Sequence, residues 1–267
     1  LEAKIVLSDN LILSLGTEFI ENESENVSKQ DCELAAAKRL LARIKKEYKR
    51  LQICLLGDAL YCVEPVMKIC RDNEWKYIFN LKEGNQKNVV NDYRWISNGG
   101  AKNTMKCISA EHGIGGYINH VEETTGKTET FNVFEYEYTK IIKKRKVKVC
   151  FMWATNIEIK DRNLEELILA GRKRWKIENE GFNNQKNGIY KIEHMNSRNT
   201  NAMKNHYLIT QITDILMQLY LACNKLVKEI KQSIKNTSSR LLESFRRHTI
   251  TDEDVFHISK YTTVHLE

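Results

Sequence analysis

Two carboxylates, Asp58 and Glu178, stand in settings that suit metal-ion chemistry. Asp58 follows a short apolar run at residues 53–56, and Glu178 lies in a stretch rich in Lys and Arg at residues 171–188. Carboxylate oxygens are the ligands that Mg2+ and Mn2+ prefer, and neighbouring cations favour a bound polyanion. The simpler alternatives are a cap or turn for Asp58 and a solvated helix with an ion pair for Glu178.

Residues 171–188 are predicted to form one helix, because apolar residues recur at helical spacing and no proline interrupts them. On such a helix Arg174 and Glu178 are four residues apart and project from one face. Trp175 is expected to turn toward the core and to anchor the helix there. The cations around Glu178 are Arg172, Arg174, Lys176 and Lys186.

The run at residues 53–56 is predicted to be a buried central strand, with Gly57 and Asp58 at its carboxyl end. Open α/β sheets place ligand-binding residues at that end. A second strand is predicted at residues 76–81, after a helix at residues 65–73. Lys82 follows this second strand and is expected on the same side of the sheet as Asp58. The sequence is equally compatible with a Lys82 that contacts phosphate and with one that is only solvated.

The remaining elements are predicted from periodicity. A hairpin is expected at residues 3–8 and 11–19, and β-strands are expected throughout residues 100–159, with a lysine-rich turn and edge at residues 140–148. The helix before the Asp58 strand has a predicted core stripe of Leu34, Ala37, Leu41, Ile44 and Tyr48. A long helix is expected at residues 206–234, with Ile212, Ile215, Leu219, Cys223, Leu226 and Ile230 on one face.

Composition favours a polyanionic partner and gives no sign of a membrane span. The 267 residues carry 42 Lys and Arg against 35 Asp and Glu, a formal net charge of +7. No run approaches the roughly 18 apolar residues that a transmembrane helix needs. The seven cysteines lack the spacing of a metal site, as expected for reduced thiols in the cytoplasm.

Four motifs, in this order, resemble those of the DDE transposases of bacterial insertion sequences. They are Leu-Leu-Gly-Asp58-Ala-Leu-Tyr, Trp75-Lys-Tyr-Ile-Phe-Asn-Leu-Lys82, Trp153-Ala-Thr-Asn-Ile and Arg174-Trp-Lys-Ile-Glu178. The resemblance runs from about residue 1 to about residue 225. It is nearest to the cut-and-paste group whose last acidic residue lies in a Tyr-Arg-Glu-Lys signature.

The signature departs from that pattern at two positions. Gly171 stands at the position of the signature tyrosine, and Gln185 stands at that of the lysine, with Lys186 one residue later. The family's first catalytic aspartate belongs to a strand that would precede residues 3–7, and Asp9 is better interpreted as a turn residue. The sequence therefore predicts an N-terminally truncated chain that is inactive by itself.

The resemblance implies a role for four residues. Asp58 and Glu178 would be catalytic and would bind Mg2+ or Mn2+, while Arg174 and Lys186 would contact DNA. The basic setting of Arg172 and the strand-end position of Lys82 make these two residues further candidates for DNA contact. The reaction implied is metal-dependent DNA strand cleavage and strand transfer, with double-stranded DNA of the transposon ends and target as the partner. A bacterial cytoplasmic location, association with the nucleoid through DNA, and a homodimer in the DNA complex are further expectations.

The fold class implied is α/β: a ribonuclease-H-like mixed sheet flanked by helices, with a β-rich insertion before the helix that carries Glu178. The expected division is a first core part at 1–99, the insertion at 100–159, a second core part at 160–235, and a C-terminal helix and tail at 236–267. Two alternatives stay open: a non-catalytic DNA-binding remnant of such an enzyme, and a nuclease of the same fold.

Overall fold

The computed structural model describes residues 1–9, 11–21, 31–107, 112–122, 130–188, 190–194, 196–224 and 233–261. These residues form two compact units. The first unit contains Leu1 and Gly16–Trp175, and the second contains Glu2–Leu15 and Lys176–Glu267. The predicted positions Leu226 and Ile230 lie outside the described residues.

The secondary structure comprises strands, α-helices and one π-helix. In chain order the strands are β1 (Glu2–Ser8), β2 (Leu11–Thr17), β3 (Cys54–Gly57), β4 (Lys76–Asn80), β5 (Asn103–Lys106), β6 (Ile114–Glu122), β7 (Thr130–Ile142) and β8 (Arg145–Thr155). The α-helices are α1 (Glu33–Glu47), α2 (Glu64–Asp72), α3 (Glu83–Asn98), α4 (Asp161–Arg172), α5 (Asn184–Asn187), α6 (Thr200–Cys223), α7 (Ile234–Arg247) and α8 (Asp252–Tyr261). The π-helix spans Ile177–Asn183.

A six-stranded mixed sheet forms the centre of the first unit, in the order β3-β4-β8-β7-β6-β5. β3 and β4 are parallel, and every other neighbouring pair is antiparallel. A mixed α/β fold is therefore confirmed, and the sheet is compatible with a ribonuclease-H-like core. The β-rich segment belongs to this same sheet, because β8 pairs with β4; its description as a separate insertion stays a prediction.

The prediction that β3 is a buried central strand is wrong. In this sheet β3 is an edge strand, Cys54 is exposed, and Leu55 and Leu56 are half-buried. The apolar run was misleading because a strand with one covered face and one paired edge needs only part of its side chains buried. Its existence and its carboxyl end before Asp58 were predicted to within one residue.

Helix α4 covers one face of the sheet and forms its main core. Leu164, Leu167 and Ile168 of α4 are buried in one cluster that also contains Ile78, Phe134, Tyr136 and Trp153 of the strands. These three residues recur at helical spacing, so one face of α4 is buried. The core therefore fixes α4 against β4, β7 and β8.

Helix α1 buries a stripe slightly rotated from the predicted one. Ala36, Ala37, Leu40, Leu41 and Ile44 are buried. Tyr48 was predicted to belong to the stripe, but it is 39% exposed, because α1 ends at Glu47 and Tyr48 is its C-cap. The existence of the helix is confirmed.

The prediction of one uninterrupted helix across residues 171–188 is wrong. Helix α4 ends at Arg172, a turn follows, and the π-helix and α5 continue the chain to Asn187. In an unbroken α-helix Gly171, Glu178 and Gln185 would share one face, because seven residues are close to two turns. Gln185 is buried and Glu178 is exposed, so the wider π turn separates two positions that an α-helix would align.

The second unit contains the β1–β2 hairpin and the helices after the π-helix, and the predicted hairpin is confirmed. The stripe predicted for the long helix is wrong at Ile212, which is 56% exposed, whereas Thr210 and Gln211 are buried. Helix α6 presents amides to the hairpin instead: the Gln218 side chain both donates to Ile12 O and accepts from Ile12 N at 2.8 Å. Two helices, α7 and α8, stand where one was expected. None of the described helices combines the length and apolar character of a membrane span.

Candidate active site

Asp58 lies immediately beyond the carboxyl end of β3, as predicted. The register places Gly57 opposite Phe79 of β4. A Cβ at Gly57 would lie 2.9 Å from the Phe79 ring, so glycine permits this close approach of the strand end to its neighbour. The half-buried Asp58 accepts a hydrogen bond from Leu60 N through Oδ1 at 2.9 Å. This hydrogen bond gives Asp58 the turn role that was the simpler alternative from the sequence. The turn is also compatible with binding a cation, because the carboxylate has a second oxygen.

Lys82 lies on the same side of the sheet as Asp58, where the carboxyl ends of β3 and β4 lie next to each other. Below, the edge of the sheet means this side, where the two strands end. Leu81 N donates to Met152 O at 2.9 Å, which continues the β4–β8 ladder to the start of α3. Lys82 is the exposed N-cap residue of α3. The side chain of Gln86 in α3 donates to Cys62 O at 2.8 Å and ties this helix to the loop after Asp58. Lys82 therefore lies at the same sheet edge as Asp58, and its contact with phosphate stays a prediction.

Arg172, the last residue of α4, lies at this edge as well. Its guanidinium carbon is 5.9 Å from the centre of the Tyr136 ring and 5.8 Å from that of Tyr138. The register pairs Tyr136 with Phe151, beyond the point where Asn80 ends β4. The first unit therefore brings Asp58, Lys82 and Arg172 to one edge of its sheet.

A two-stranded basic ribbon projects from the same edge. Among the described residues, β7 beyond Glu137 pairs only with β8, from Tyr138↔Val149 to Ile142↔Arg145. Lys143 and Lys144 form the tip in the left-handed region, with φ of 47° and 65°, as in a tight hairpin turn. The basic residues of this ribbon are Lys140, Lys143, Lys144, Arg145, Lys146 and Lys148, all exposed. We call residues 138–149 the basic ribbon below.

Arg174 and Trp175 lie just after α4, at the end of the first unit. The Arg174 guanidinium carbon is 4.9 Å from the centre of the Trp175 ring. Trp175 is 47% exposed, so the prediction that it anchors the helix in the core is wrong. The reason is the end of α4 at Arg172, which breaks the helical period on which the prediction rested.

Gly171 explains one departure of the signature. A Cβ at Gly171 would lie 2.8 Å from Cε2 and from Nε1 of Trp153. Trp153 is 1% exposed and stacks on Phe134 with 5.0 Å between ring centres. The indole therefore fills the space that a larger side chain at position 171 would need.

Glu178 is exposed in the first turn of the π-helix, in the second unit. The buried side of this segment carries Gly181, where a Cβ would lie 3.2 Å from Cε of Lys4, and Gln185, which is 1% exposed. Lys176 precedes the π-helix and donates to Asp9 O at 2.8 Å. The π-helix segment therefore exposes the Glu178 carboxylate on one side and packs against the second unit through Gly181 and Gln185 on the other.

Lys186 is exposed and forms an ion pair with Glu193 at 2.5 Å. Its neighbour Gln185, at the signature lysine position, points into the second unit instead. The Gln185 and Gln211 amides exchange two hydrogen bonds of 2.9 Å, and Gln185 Nε2 also donates to Asp214 Oδ2 at 3.0 Å. The identity of residue 185 therefore matters to packing, whereas Lys186 faces solvent.

The buried partners of Gln185 were missed from the sequence. Lys4 has a side chain that is 1% exposed, donates to Gln211 Oε1 at 3.2 Å and lies 3.9 Å from Asp214 Oδ2. Burial lowers the pKa of Lys4. A lysine in a short hairpin strand gives no spacing signal of burial, and its partners are about 200 residues away, as in the separation of 207 positions between Lys4 and Gln211.

Asp58 belongs to the first unit and Glu178 to the second. In the part of the chain that the structure describes, no group of three or more His, Cys, Asp and Glu side chains is arranged to hold a metal ion. Asp58 and Glu178 are therefore single carboxylates, and each belongs to a different secondary-structure segment.

A family model described as a transposase DDE domain matches residues 16–213, which is well over half of the chain. The matched range begins at the end of β2 and extends into α6, so it contains both Asp58 and Glu178. No curated protein matched the chain.

Proposed function

This chain belongs to the DDE transposase family, and from that membership we propose that it supplies metal-dependent DNA strand cleavage and strand transfer at the ends of an insertion sequence. The observation that carries the proposal is the position of Asp58, at the carboxyl end of β3 on the sheet edge that also carries Lys82 and Arg172. A carboxylate beside cations at a strand end suits a phosphate substrate and a divalent ion.

Asp58 and Glu178 are the proposed metal ligands. Both offer hard carboxylate oxygens, the donor type that Mg2+ and Mn2+ prefer, and this donor chemistry fits the group. When bound, such an ion stabilises charge on the phosphoryl oxygens and lowers the pKa of bound water. The protein's own contribution is to present each carboxylate from a fixed element: Asp58 from a hydrogen-bonded turn, and Glu178 from a helix held by its buried side.

The proposed DNA contacts are Lys82, Arg172, Arg174 and Lys186. Lys82 and Arg172 flank the Asp58 edge, where they would neutralise phosphates close to the scissile bond. Arg174 lies over the exposed ring of Trp175, with 4.9 Å between its guanidinium carbon and the ring centre. Lys186 would exchange its ion pair with Glu193 for a phosphate contact at little cost, because an exposed pair contributes little to stability.

The basic ribbon is a further proposed contact with duplex DNA. The major groove admits a two-stranded β-ribbon, and six exposed cations on this hairpin supply the sequence-independent attraction to phosphates. Ile141, 70% exposed near the tip, would add apolar contact with a groove. The same lysines also discourage edge-to-edge pairing of strands, and the binding measurement in the Discussion separates the two roles.

The proposed partner is double-stranded DNA of the element's ends and its target, in the cytoplasm and at the nucleoid, with a homodimer in the DNA complex. The formal net charge of +7 supports a polyanionic partner. Membership of the cut-and-paste group with the Tyr-Arg-Glu-Lys signature is part of the proposal, since Arg174 and Glu178 keep the spacing of that signature.

A specific observation favours a second candidate, a non-catalytic DNA-binding remnant. Residue 185, at the signature lysine position, is a buried glutamine bonded to Gln211. One assay separates the candidates: the protein is incubated with Mg2+, a donor DNA carrying the element's own ends and a target plasmid. Joined products support the transposase, cleavage without joining indicates a nuclease of this fold, and DNA binding without either product indicates the remnant.

A further inference from the structure

The side chain of Gln185 lies at the centre of a buried polar cluster in the second unit. It uses three of its four hydrogen-bonding positions: Nε2 donates to Gln211 Oε1 and Asp214 Oδ2, and Oε1 accepts from Gln211 Nε2. Gln185 is 1% and Gln211 3% exposed. Buried polar groups bonded in this way favour one arrangement, because another would leave donors and acceptors unsatisfied.

Lys4 completes this cluster from β1. Its ammonium donates to Gln211 and lies 3.9 Å from Asp214, while its aliphatic stem passes over the backbone of Gly181. A Cβ at Gly181 would lie 3.2 Å from Lys4 Cε and 3.3 Å from Cδ. The π-helix is therefore held directly at Gly181 and, just beyond its end, at Gln185.

The attachments at Gly181 and Gln185 affect the direction of the Glu178 side chain, because all three residues lie in one helical segment. Glu178 and Gln185 are seven residues apart, so in an α-helix they would lie on one face. Gln185 is buried and Glu178 is exposed, and the wider π turn between them places them on different sides. A relaxation of Ile177–Asn183 to α-helix, with Gln185 held in place, would rotate Glu178 toward the buried side.

We propose that Gln185, through Gln211 and Asp214, is a positioning residue that maintains the π turn and so keeps Glu178 outward for its ligand. This inference rests on the proposed function, because it gives Glu178 the role of a metal-binding carboxylate. Helical segments with π turns are frequent at functional sites, where they re-aim a side chain. Gln185 itself is sealed from solvent, so it acts on the reaction only through Glu178.

The test compares Gln185→Ala with Gln218→Ala. Gln218 is a matched control because it also donates to Asp214 Oδ2, at 3.1 Å, but its other bonds join α6 to Ile12 of the hairpin rather than to the π-helix segment. Hydrogen exchange reports the mechanical part of the proposal without any enzyme activity. Gln185→Ala is expected to accelerate amide exchange in residues 177–183 about ten-fold relative to Gln218→Ala.

The second readout is the Mg2+ concentration that gives half-maximal DNA cleavage by the complete protein, measured below the unfolding temperature of each variant. Gln185→Ala is expected to raise this midpoint several-fold, and Gln218→Ala to leave it unchanged. Unaltered exchange in residues 177–183 overturns the proposal. Faster exchange with the same Mg2+ midpoint as Gln218→Ala also overturns it, because the cluster would then be structural only.

Two further variants keep the outcome interpretable. If Gln185→Ala does not fold, Gln185→Met keeps most of the side-chain volume, removes the amide, and leaves the hydrogen bond from Lys4 to Gln211 in place. It is judged by the same two readouts. Glu178→Gln tests the proposed function separately: unchanged cleavage in that variant refutes the metal role of Glu178 and, with it, this inference.

Discussion

Gly171 and Trp153 are in contact so close that a single added carbon would not fit, since a Cβ at Gly171 would lie 2.8 Å from the indole ring. The contact joins the last turn of α4 to the middle of the sheet, in the cluster that also contains Leu164 and Ile168. It accounts for the glycine at a position where the signature has a large aromatic residue.

Gly171→Ala is expected to destabilise the chain by about 1–3 kcal/mol, because the added methyl group forces a well-packed indole or the helix to shift. Urea unfolding followed by circular dichroism measures the change. Gly84→Ala is the control: nothing lies within 4 Å of a Cβ there. That substitution should be neutral or stabilising by up to about 1 kcal/mol. Equal stability of the two variants would contradict the account of Gly171.

The contact between Gly171 and Trp153 could not be predicted from the sequence, although each residue belongs to a recognisable motif. Helical spacing predicts that Leu164 and Ile168 face a core, but it does not say which strand residue meets them. The strand before Asp58 was predicted by its apolar run, whereas its edge position depends on sheet order, which periodicity does not encode. Local pattern therefore predicts the elements, and long-range pairing decides their surroundings.

Replacing Lys143, Lys144 and Arg145 together by alanine is expected to weaken the salt dependence of duplex DNA binding. The slope of log K against log salt concentration should become less negative by about two to three units. The reason is that the slope falls by about one unit for each phosphate that the protein no longer neutralises. Fluorescence anisotropy over a range of salt concentrations measures it. Because these residues are exposed at the tip of the basic ribbon, stability should stay within about 0.5 kcal/mol.

The matched control for the ribbon replaces Lys46, Lys49 and Arg50 by alanine. These three cations are exposed at and after the end of α1, so the change in net charge is the same. Their removal should reduce the slope by less than one unit. A ribbon variant that keeps the parental slope, or a control whose slope falls as much, would show that the ribbon does not contact DNA.

Arg174→Ala combined with Lys186→Ala is expected to flatten the same salt dependence by about two units, with little change in which DNA sequence is preferred. Neither side chain is in the core, since Arg174 lies over an exposed ring and Lys186 pairs at the surface with Glu193. Anisotropy titrations with element-end DNA and with unrelated DNA measure both quantities. An unchanged slope would place the DNA elsewhere on the molecule.

The buried thiol Cys62 makes stability fall at alkaline pH. Burial raises the pKa of Cys62 from 9.0 to about 12, so the unfolded chain loses this proton first as pH rises above 9. Ionisation then favours the unfolded state, and stability that is present below pH 9 is lost progressively toward pH 12. Between about pH 8 and about pH 10, wild type should lose roughly 1 kcal/mol more than Cys62→Ala in urea unfolding with reductant present. Parallel pH profiles would contradict the burial of this thiol.

The surroundings of Glu178 mark the other limit of sequence reasoning. Spacing identified Glu178 and Arg174, but it assumed one α-helix, and the π turn changed which residues face outward. No residue type in the sequence of residues 177–183 indicates that turn. The flanking backbone is helical as well, with φ near −66° at Lys176 and −65° at Asn184. The turn is supported by Lys4 and by α6, which are distant in the chain.

The cleavage rate of Glu178→Gln relative to Glu253→Gln tests the central claim most directly. Both glutamates are exposed in the second unit, and each substitution removes one negative charge. Glu253 lies in α8, beyond the residues that the family model matches. With the complete protein, Mg2+ and donor DNA carrying the element's own ends, Glu178→Gln should lower the cleavage rate at least about a thousand-fold, and Glu253→Gln should stay within about three-fold of wild type. Equal rates in the two variants would contradict the assignment of Glu178 as a metal-binding carboxylate of this transposase domain.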